Sequence, residues 1–216
     1  MIYVYAITDA VEINEGLTGL HDARTEALEH EGIAGVFSRH DQLELSSSDP
    51  QLLWAHEGVI DHLIEQGSVL PLRFGTTLRD PEALRDVLAE ERVRFSVLLS
   101  RVRGCVELAV RVGLAPSEQV AASDGADYIR GRLAARQHEE DAADRVLAPL
   151  RSLARATARR PVQAGSTSLS ESYLVSRPTV EQFASEVRAL QSRNPGLSIS
   201  CTGPWGPYSF VDGGGK

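Results

Sequence analysis

The chain has 216 residues, of which 42% are hydrophobic and 24% charged, and a formal net charge of −8. That length and apolar content fit one large or two small packed domains rather than a disordered chain. The acidic balance argues against a general nucleic-acid binder, which needs cations to displace phosphate counterions, and against adsorption to anionic membranes.

Residues 2–7 open as a strand, apolar on both faces, as in a sheet centre. Residues 20–31 are expected to form a modest helix stopped by Gly32. Residues 33–39 and 42–47 are expected to be the second and third strands, separated by a short polar turn. Asp49-Pro50 is a clear helix start, a capping carboxylate followed by a proline suited to the first helical position. Leu52, Leu53, His56, Val59, Ile60, Leu63 and Ile64 then recur at helical spacing until Gly67. Residues 69–74 resume as a strand, completing the ferredoxin-like order strand, helix, strand, strand, helix, strand.

Asp80-Pro81 starts a further helix whose apolar stripe is broken only at Glu91, with Gly104 as terminator. It is expected to join the two halves or to pack as an arm between them. In residues 105–112, Val106, Leu108, Val110 and Val112 share one strand face and Glu107 and Arg111 the other. A long helix from about residue 124 is expected to be kinked or divided by Pro149. Strands at 162–164 and 169–176, a helix opened by Pro178, and a strand at 197–201 complete the same order. The expected fold is therefore α+β, with two ferredoxin-like (βαββαβ) halves joined by a long helix. The expected domains are residues 1–80, a connecting helix over 81–104, and residues 105–211 ending in an aromatic strap, with a frayed tail at 212–216.

Cys105 and Cys201 have neither CxxC spacing nor a disulfide framework around them. By strand alternation Cys201 should face the core and Cys105 should be the more exposed. The N-terminus lacks the basic region of a secretory signal, and no uncharged apolar run reaches the ~20 residues that span a bilayer. These features give a cytoplasmic setting as the expectation.

No catalytic constellation assembles. His56-Glu57 matches the start of the zinc motif HExxH, but the second histidine, His62, is six residues on and falls on another side of the helix, so no zinc site is expected. His56 lies in the apolar stripe and reads as a hydrogen-bonded core or boundary residue. His21, His30, His40 and His138 read as surface residues. Gly16-x-x-Gly19 lacks the rest of a phosphate loop and reads as a turn. The basic run from Arg151 to Arg160 has no interleaved aromatics and reads as a solvated face rather than a nucleic-acid patch. Glu139-Glu140-Asp141 reads as solvated. No cofactor or metal is expected, and the chain is not expected to be an enzyme.

Two segments exceed ordinary core patterning. In Val69-Leu70-Pro71-Leu72-Arg73-Phe74-Gly75-Thr76, Pro71 forfeits a ladder donor and marks an edge or bulge, and Arg73 stands between apolar residues. In Gly203-Pro204-Trp205-Gly206-Pro207-Tyr208-Ser209-Phe210, prolines and glycines fix a stiff path for three aromatics, which suits a strap on the second domain or an interface. Pro71, Arg73, Phe74, Trp205, Tyr208 and Phe210 are the candidate partner-contact residues.

With the His56-Glu57-x-Val59-Ile60 helix and Tyr173-Leu174-Val175, these segments give the chain its resemblance to the gas vesicle protein family GvpF/GvpL. The ending is its most specific element. Gly206, where proline or another small residue is expected, departs from the pattern and loosens the strap by one residue. The resemblance implies a two-domain α+β accessory protein required for gas vesicle assembly. It also implies association with the hydrophobic shell protein GvpA or other vesicle accessory proteins, and a place at the shell, on its gas-facing side. The alternative from fold alone is a small-molecule-binding regulatory module on a ferredoxin-like sheet.

Overall fold

The structure, a computed structural model, describes residues 1–9, 16–46, 48–113, 130–131, 137, 141, 144–159 and 168–211. The chain divides into two compact units. One comprises Met1–Glu107 with Pro204–Lys216, the other Leu108–Gly203.

The first unit is built on β1, Ile2–Asp9, buried at all positions but the last. Its neighbours are β3, Ile33–Arg39, on one side and β4, Val69–Pro71, on the other, and β2, Thr25–His30, lies outside β3. A short β5, Thr77–Leu78, also pairs with β1, and every pairing is antiparallel. The β1–β3 register shifts between Val4 and Ala6, a bulge that leaves Tyr5 as the extra residue.

The helix expected over residues 20–31 is not there. Leu20–Asp22 forms one 3-10 turn, and the rest is strand β2. The two-residue loop Glu31-Gly32 has φ of +46° and +83°, the paired left-handed conformations of a tight hairpin turn. That turn fixes the β2–β3 register, and long-range pairing overrides the local helical pattern. The second and third strands are thus 25–30 and 33–39, and residues 42–46 form no strand.

Helix α1, Pro50–Gln66, starts as its sequence requires, with Asp49 accepting a 2.9 Å hydrogen bond from the Gln51 amide. The expected connecting helix is two helices, α2, Pro81–Glu90, and α3, Arg92–Val102. The chain leaves helical geometry at Glu91 (φ −95°, ψ 7°), where the apolar stripe breaks. Both pack on the first sheet, α2 against β2 and β3 and α3 against β1, β3 and β4. The 81–104 segment therefore belongs to the first unit rather than forming an arm between halves.

The second unit contains most of β6, Cys105–Gly113, followed by β7, Ala156–Arg159, β8, Ser168–Ser176, and most of β9, Ser198–Trp205. Their order, β7-β8-β6-β9, repeats that of the first sheet, with the first strand between the third and fourth and the second outside the third. Helical residues 144–151, here α4, run through Pro149, so the proline does not end the helix at that point. Helix α5, Val180–Arg193, sends Phe183, Val187 and Leu190 into the core, where Phe183 meets Tyr173 edge-on with ring centroids 5.1 Å apart. The strand expected at 162–164 lies outside the described residues.

One assignment by strand alternation changes: Cys105, on inner strand β6, is buried. Cys201, on edge strand β9, is half-buried and packs against the core of the second unit as expected. Glu107, on the strand face it shares with Arg111, is only 6% exposed.

Candidate functional site

Three of the motifs singled out in the sequence converge on one buried polar cluster of the first unit, while Tyr173-Leu174-Val175 lies on β8 of the second. Tyr3 and Tyr5 come from β1, His56 and Glu57 from α1, Leu72, Phe74 and Gly75 from the segment after β4, and Tyr208 from the C-terminal run. The sequence pattern suggests the second domain as the bed for that run. The structure places it on the first unit.

His56 is the hub and is 1% exposed. Its Nδ1 lies 2.9 Å from the Tyr3 hydroxyl, and its Nε2 lies 3.1 Å from both the Leu72 carbonyl oxygen and the Tyr208 hydroxyl. A carbonyl only accepts, so Nε2 carries the proton and Nδ1 accepts from Tyr3. The Tyr3 oxygen in turn accepts from the Gly75 amide at 3.1 Å. Tyr208 donates to Glu57 Oε1 at 2.8 Å. The rings of Tyr3, Tyr5 and Phe74 surround the imidazole, with centroids 5.7, 5.7 and 5.9 Å from its own.

Burial dominates the electrostatics. It pushes the His56 imidazole down to about 4, against the opposing hydrogen bond to Leu72, so the ring is neutral at neutral pH. Burial likewise pushes the Glu57 carboxyl up, opposed by the Tyr208 bond and reinforced by Asp61. Tyr208 is raised by burial and then by Glu57. Glu57 Oε2 is buried without a hydrogen-bond partner.

A second chain of bonds flanks the hub. The Leu20 amide donates to the Tyr5 hydroxyl at 2.9 Å, which lies 2.8 Å from Ser38 Oγ, itself 2.8 Å from His40 Nε2. Gly19 is required here, because a Cβ would lie 1.9 Å from the Tyr5 oxygen.

The C-terminal run is held at three further points. Gly206 is buried, and a Cβ there would sit 2.9 Å from Ile60 Cγ2 and 3.2 Å from Pro71 Cγ. The departure from the expected proline is thus a close approach of backbone to α1 and β4. Ser209 donates from its amide and its hydroxyl to the two oxygens of Glu107, at 2.8 and 2.7 Å. Phe210 is 2% exposed.

The six candidate contact residues therefore separate. Pro71 is buried on edge strand β4, against the Gly206 backbone. Phe74 and Tyr208 belong to the cluster, and Phe210 is buried. Trp205 is 44% exposed. Arg73 contributes its carbonyl to the turn after β4, where it accepts from Thr76. Pattern alone does not single out Tyr3 or Glu107 as partners of these segments. Two tyrosines two apart on a buried strand, and a carboxylate at the start of an inner strand, are the signals that mark them.

This arrangement suits a latch better than a catalyst. Both imidazole nitrogens are engaged by the protein, so His56 has no free site to accept a substrate proton. Among the described residues no group of three His, Cys, Asp or Glu side chains could hold a metal ion. His62 bonds Gln66 at 2.7 Å, and His138 lies outside the described residues.

In the second unit Arg151 and Arg159 of the basic run are neutralised. Arg151 forms a fork to Glu171 at 2.8 and 2.9 Å and reaches Asp144 at 2.5 Å, and Arg159 also bonds both carboxylates. Burial pushes the Glu171 carboxyl up, but the bonds from Arg151 and Arg159 win and hold it below its ordinary value. The same arginines, Arg159 first, bring Asp144 down to about 2. These cations serve an internal ion network rather than a phosphate surface. A hollow of about 320 Å³ in the same unit is lined by Pro149, Ser152, Leu153, Gln182, Ser185 and Glu186.

Comparison with known proteins gives a consistent set of relatives. The family described as "Gas vesicle synthesis protein GvpL/GvpF" matches residues 1–212. Gas vesicle protein L of Streptomyces sp. (strain CB03234) is 31% identical, over 97% of this chain and 92% of that protein. Gas vesicle protein F2 of Halobacterium salinarum is 26% identical, over 98% and 92%. The crystal structure of gas vesicle protein GvpF from Microcystis aeruginosa superposes with a TM-score of 0.81 at 17% identity, covering 98% of each chain, a likeness of fold alone.

Proposed function

The chain belongs to the gas vesicle synthesis protein GvpL/GvpF family, and from that membership we propose that it is an accessory protein of gas vesicle assembly that binds the hydrophobic shell protein GvpA or other vesicle accessory proteins. The family is not a known enzyme family. The carrying observation is that the family match runs through residue 212 while the motif residues that could do chemistry are tied up in an internal latch. A shell subunit exposes apolar surface and strand edges before it polymerises, and a partner that covers them limits aggregation.

No helix among the described residues is long and apolar enough to cross a membrane. The proposed station of the protein is the vesicle shell, on the gas-facing side. Of the six candidate contacts, exposed Arg73 and Trp205 are the two proposed for a partner, and the other four are taken up in packing within the first unit. The shared strand order of the two sheets supports reading both as variants of a ferredoxin-like arrangement.

Removal of the chain from a vesicle-forming cell, followed by re-expression, tests the role. Loss and recovery of buoyant, light-scattering vesicles is the expected result. Vesicles of normal number and shape without the chain would overturn it.

A further inference from the structure

Helix α1 carries three features on one face that weaken the isolated helix. Trp54 is 75% exposed, the most exposed large apolar side chain among the described residues. Gly58 follows one turn later in the helix interior, where glycine destabilises relative to alanine, yet a Cβ there would meet nothing within 4 Å. Asp61 and Glu65 continue the same face at i+7 and i+11 from Trp54, toward the C-terminal end where the helix dipole disfavours negative charge. No lysine or arginine stands anywhere in α1. All four residues are exposed, opposite the buried stripe of Leu52, His56, Val59, Ile60, Leu63 and Ile64. Local rules broken together without an internal gain mark a functional surface.

We propose that this face of α1 docks a basic amphipathic helix of another polypeptide, with apolar side chains on Trp54, backbone approaching closely at Gly58, and lysine or arginine side chains reaching Asp61 and Glu65. Charge selects the occupant. The stripe holds two acids and no base, on a chain of net charge −8, so a second copy would set acid against acid. The other titratable groups around this face do not neutralise it, since Glu57 is engaged by Tyr208 and His62 by Gln66. Partial desolvation against the helix surface, then Glu65, pushes the Asp61 carboxyl up, and a partner cation would favour its charged form. An exposed tryptophan beside a side-chain-free notch suits a hot spot with close helix packing. The surface deepens the assembly role proposed above and rests on it for its biological partner.

The test uses the full chain and a fluorescent 20-residue helical peptide, with leucines at i, i+3, i+4 and i+7 spacing and four lysines on one half. A second peptide carries glutamates in place of the lysines. The lysine peptide should bind, more weakly as salt rises, and the glutamate peptide should not. Trp54→Ala and the double variant Asp61→Asn, Glu65→Gln should each weaken binding at least tenfold, with melting temperatures that show both still folded. No binding of the lysine peptide, equal binding of both peptides, or unchanged affinity in Trp54→Ala would overturn the proposal. So would a dimer of the chain that Trp54→Ala abolishes, since that makes the face a self-interface. Retention of vesicle proteins separates the two readings. If wild type and Trp54→Ala retain them equally, this surface fails and the assembly role stands. If wild type retains none, the assembly role fails.

Discussion

At the residue scale, His56 makes the sharpest prediction. Its folded-state value of about 4 lies below the ordinary 6.5, so between those values the unfolded chain binds more protons than the native one. Stability from this group is present above pH 6.5 and is lost as pH falls toward 4, a change of about 3 kcal/mol. Glu57, with its carboxyl held up by burial, contributes in the opposite direction as it protonates. An NMR titration should find the His56 ring neutral at pH 6, and His56→Gln should flatten the acid limb of the stability curve. A ring that titrates near 6.5 would refute the latch as drawn. Gly206→Ala should destabilise by about 1–3 kcal/mol in thermal melts, because its methyl must displace Ile60 or the Pro71 ring. His56 is legible as a buried, bonded residue from its place in the helical stripe. Its partners are not, because Leu72, Tyr3 and Tyr208 meet it only through pairings 16, 53 and 152 residues apart in sequence.

At the element scale, the strap and α1 can each be probed alone. Ending the chain after Thr202 would expose Ile60 and Pro71, unpair Glu107 and remove buried Phe210. The first unit should then melt earlier by more than in any single strap substitution, whereas a purely external arm would leave melting unchanged. Gly58→Ala should raise stability by roughly 1 kcal/mol, as expected for an exposed helix interior. Elements with strong local signals are legible. Asp49-Pro50 and Asp80-Pro81 start helices where their capping chemistry requires it. Strand β2 is not legible, because Thr25–His30 owes its extended form to the Glu31-Gly32 turn and to β3. The apolar stripe over 81–104 suggests one rod, and only the charge at Glu91 marks where the chain divides it.

At the scale of the whole molecule, the second unit depends on its ion network. Glu171→Gln would leave Arg151 and Arg159 without their buried anion and should cost on the order of 2–3 kcal/mol, below the value for a fully buried pair because both guanidiniums are about a third exposed. Chemical denaturation of the variant checks this. The sheet order repeated in both units is visible in the sequence only as a repeated order of elements, and the unit that receives the C-terminal strap is not visible at all. No local feature of Gly203 to Phe210 names its docking surface, since Ile60, Pro71 and Glu107 are brought to it by the tertiary fold. Family membership is legible from the motifs that follow one another in order along the chain, from His56-Glu57 through Tyr173-Leu174-Val175 to the aromatic ending, and the family match covers residues 1–212.

Binding to vesicle proteins is the role proposed for this family member. Purified intact chain, immobilised under mild conditions and offered the shell protein and its accessory proteins, tests that role most directly. Saturable retention of at least one of them in a defined complex is the predicted result. Retention of none, by a chain shown to be folded, would contradict it.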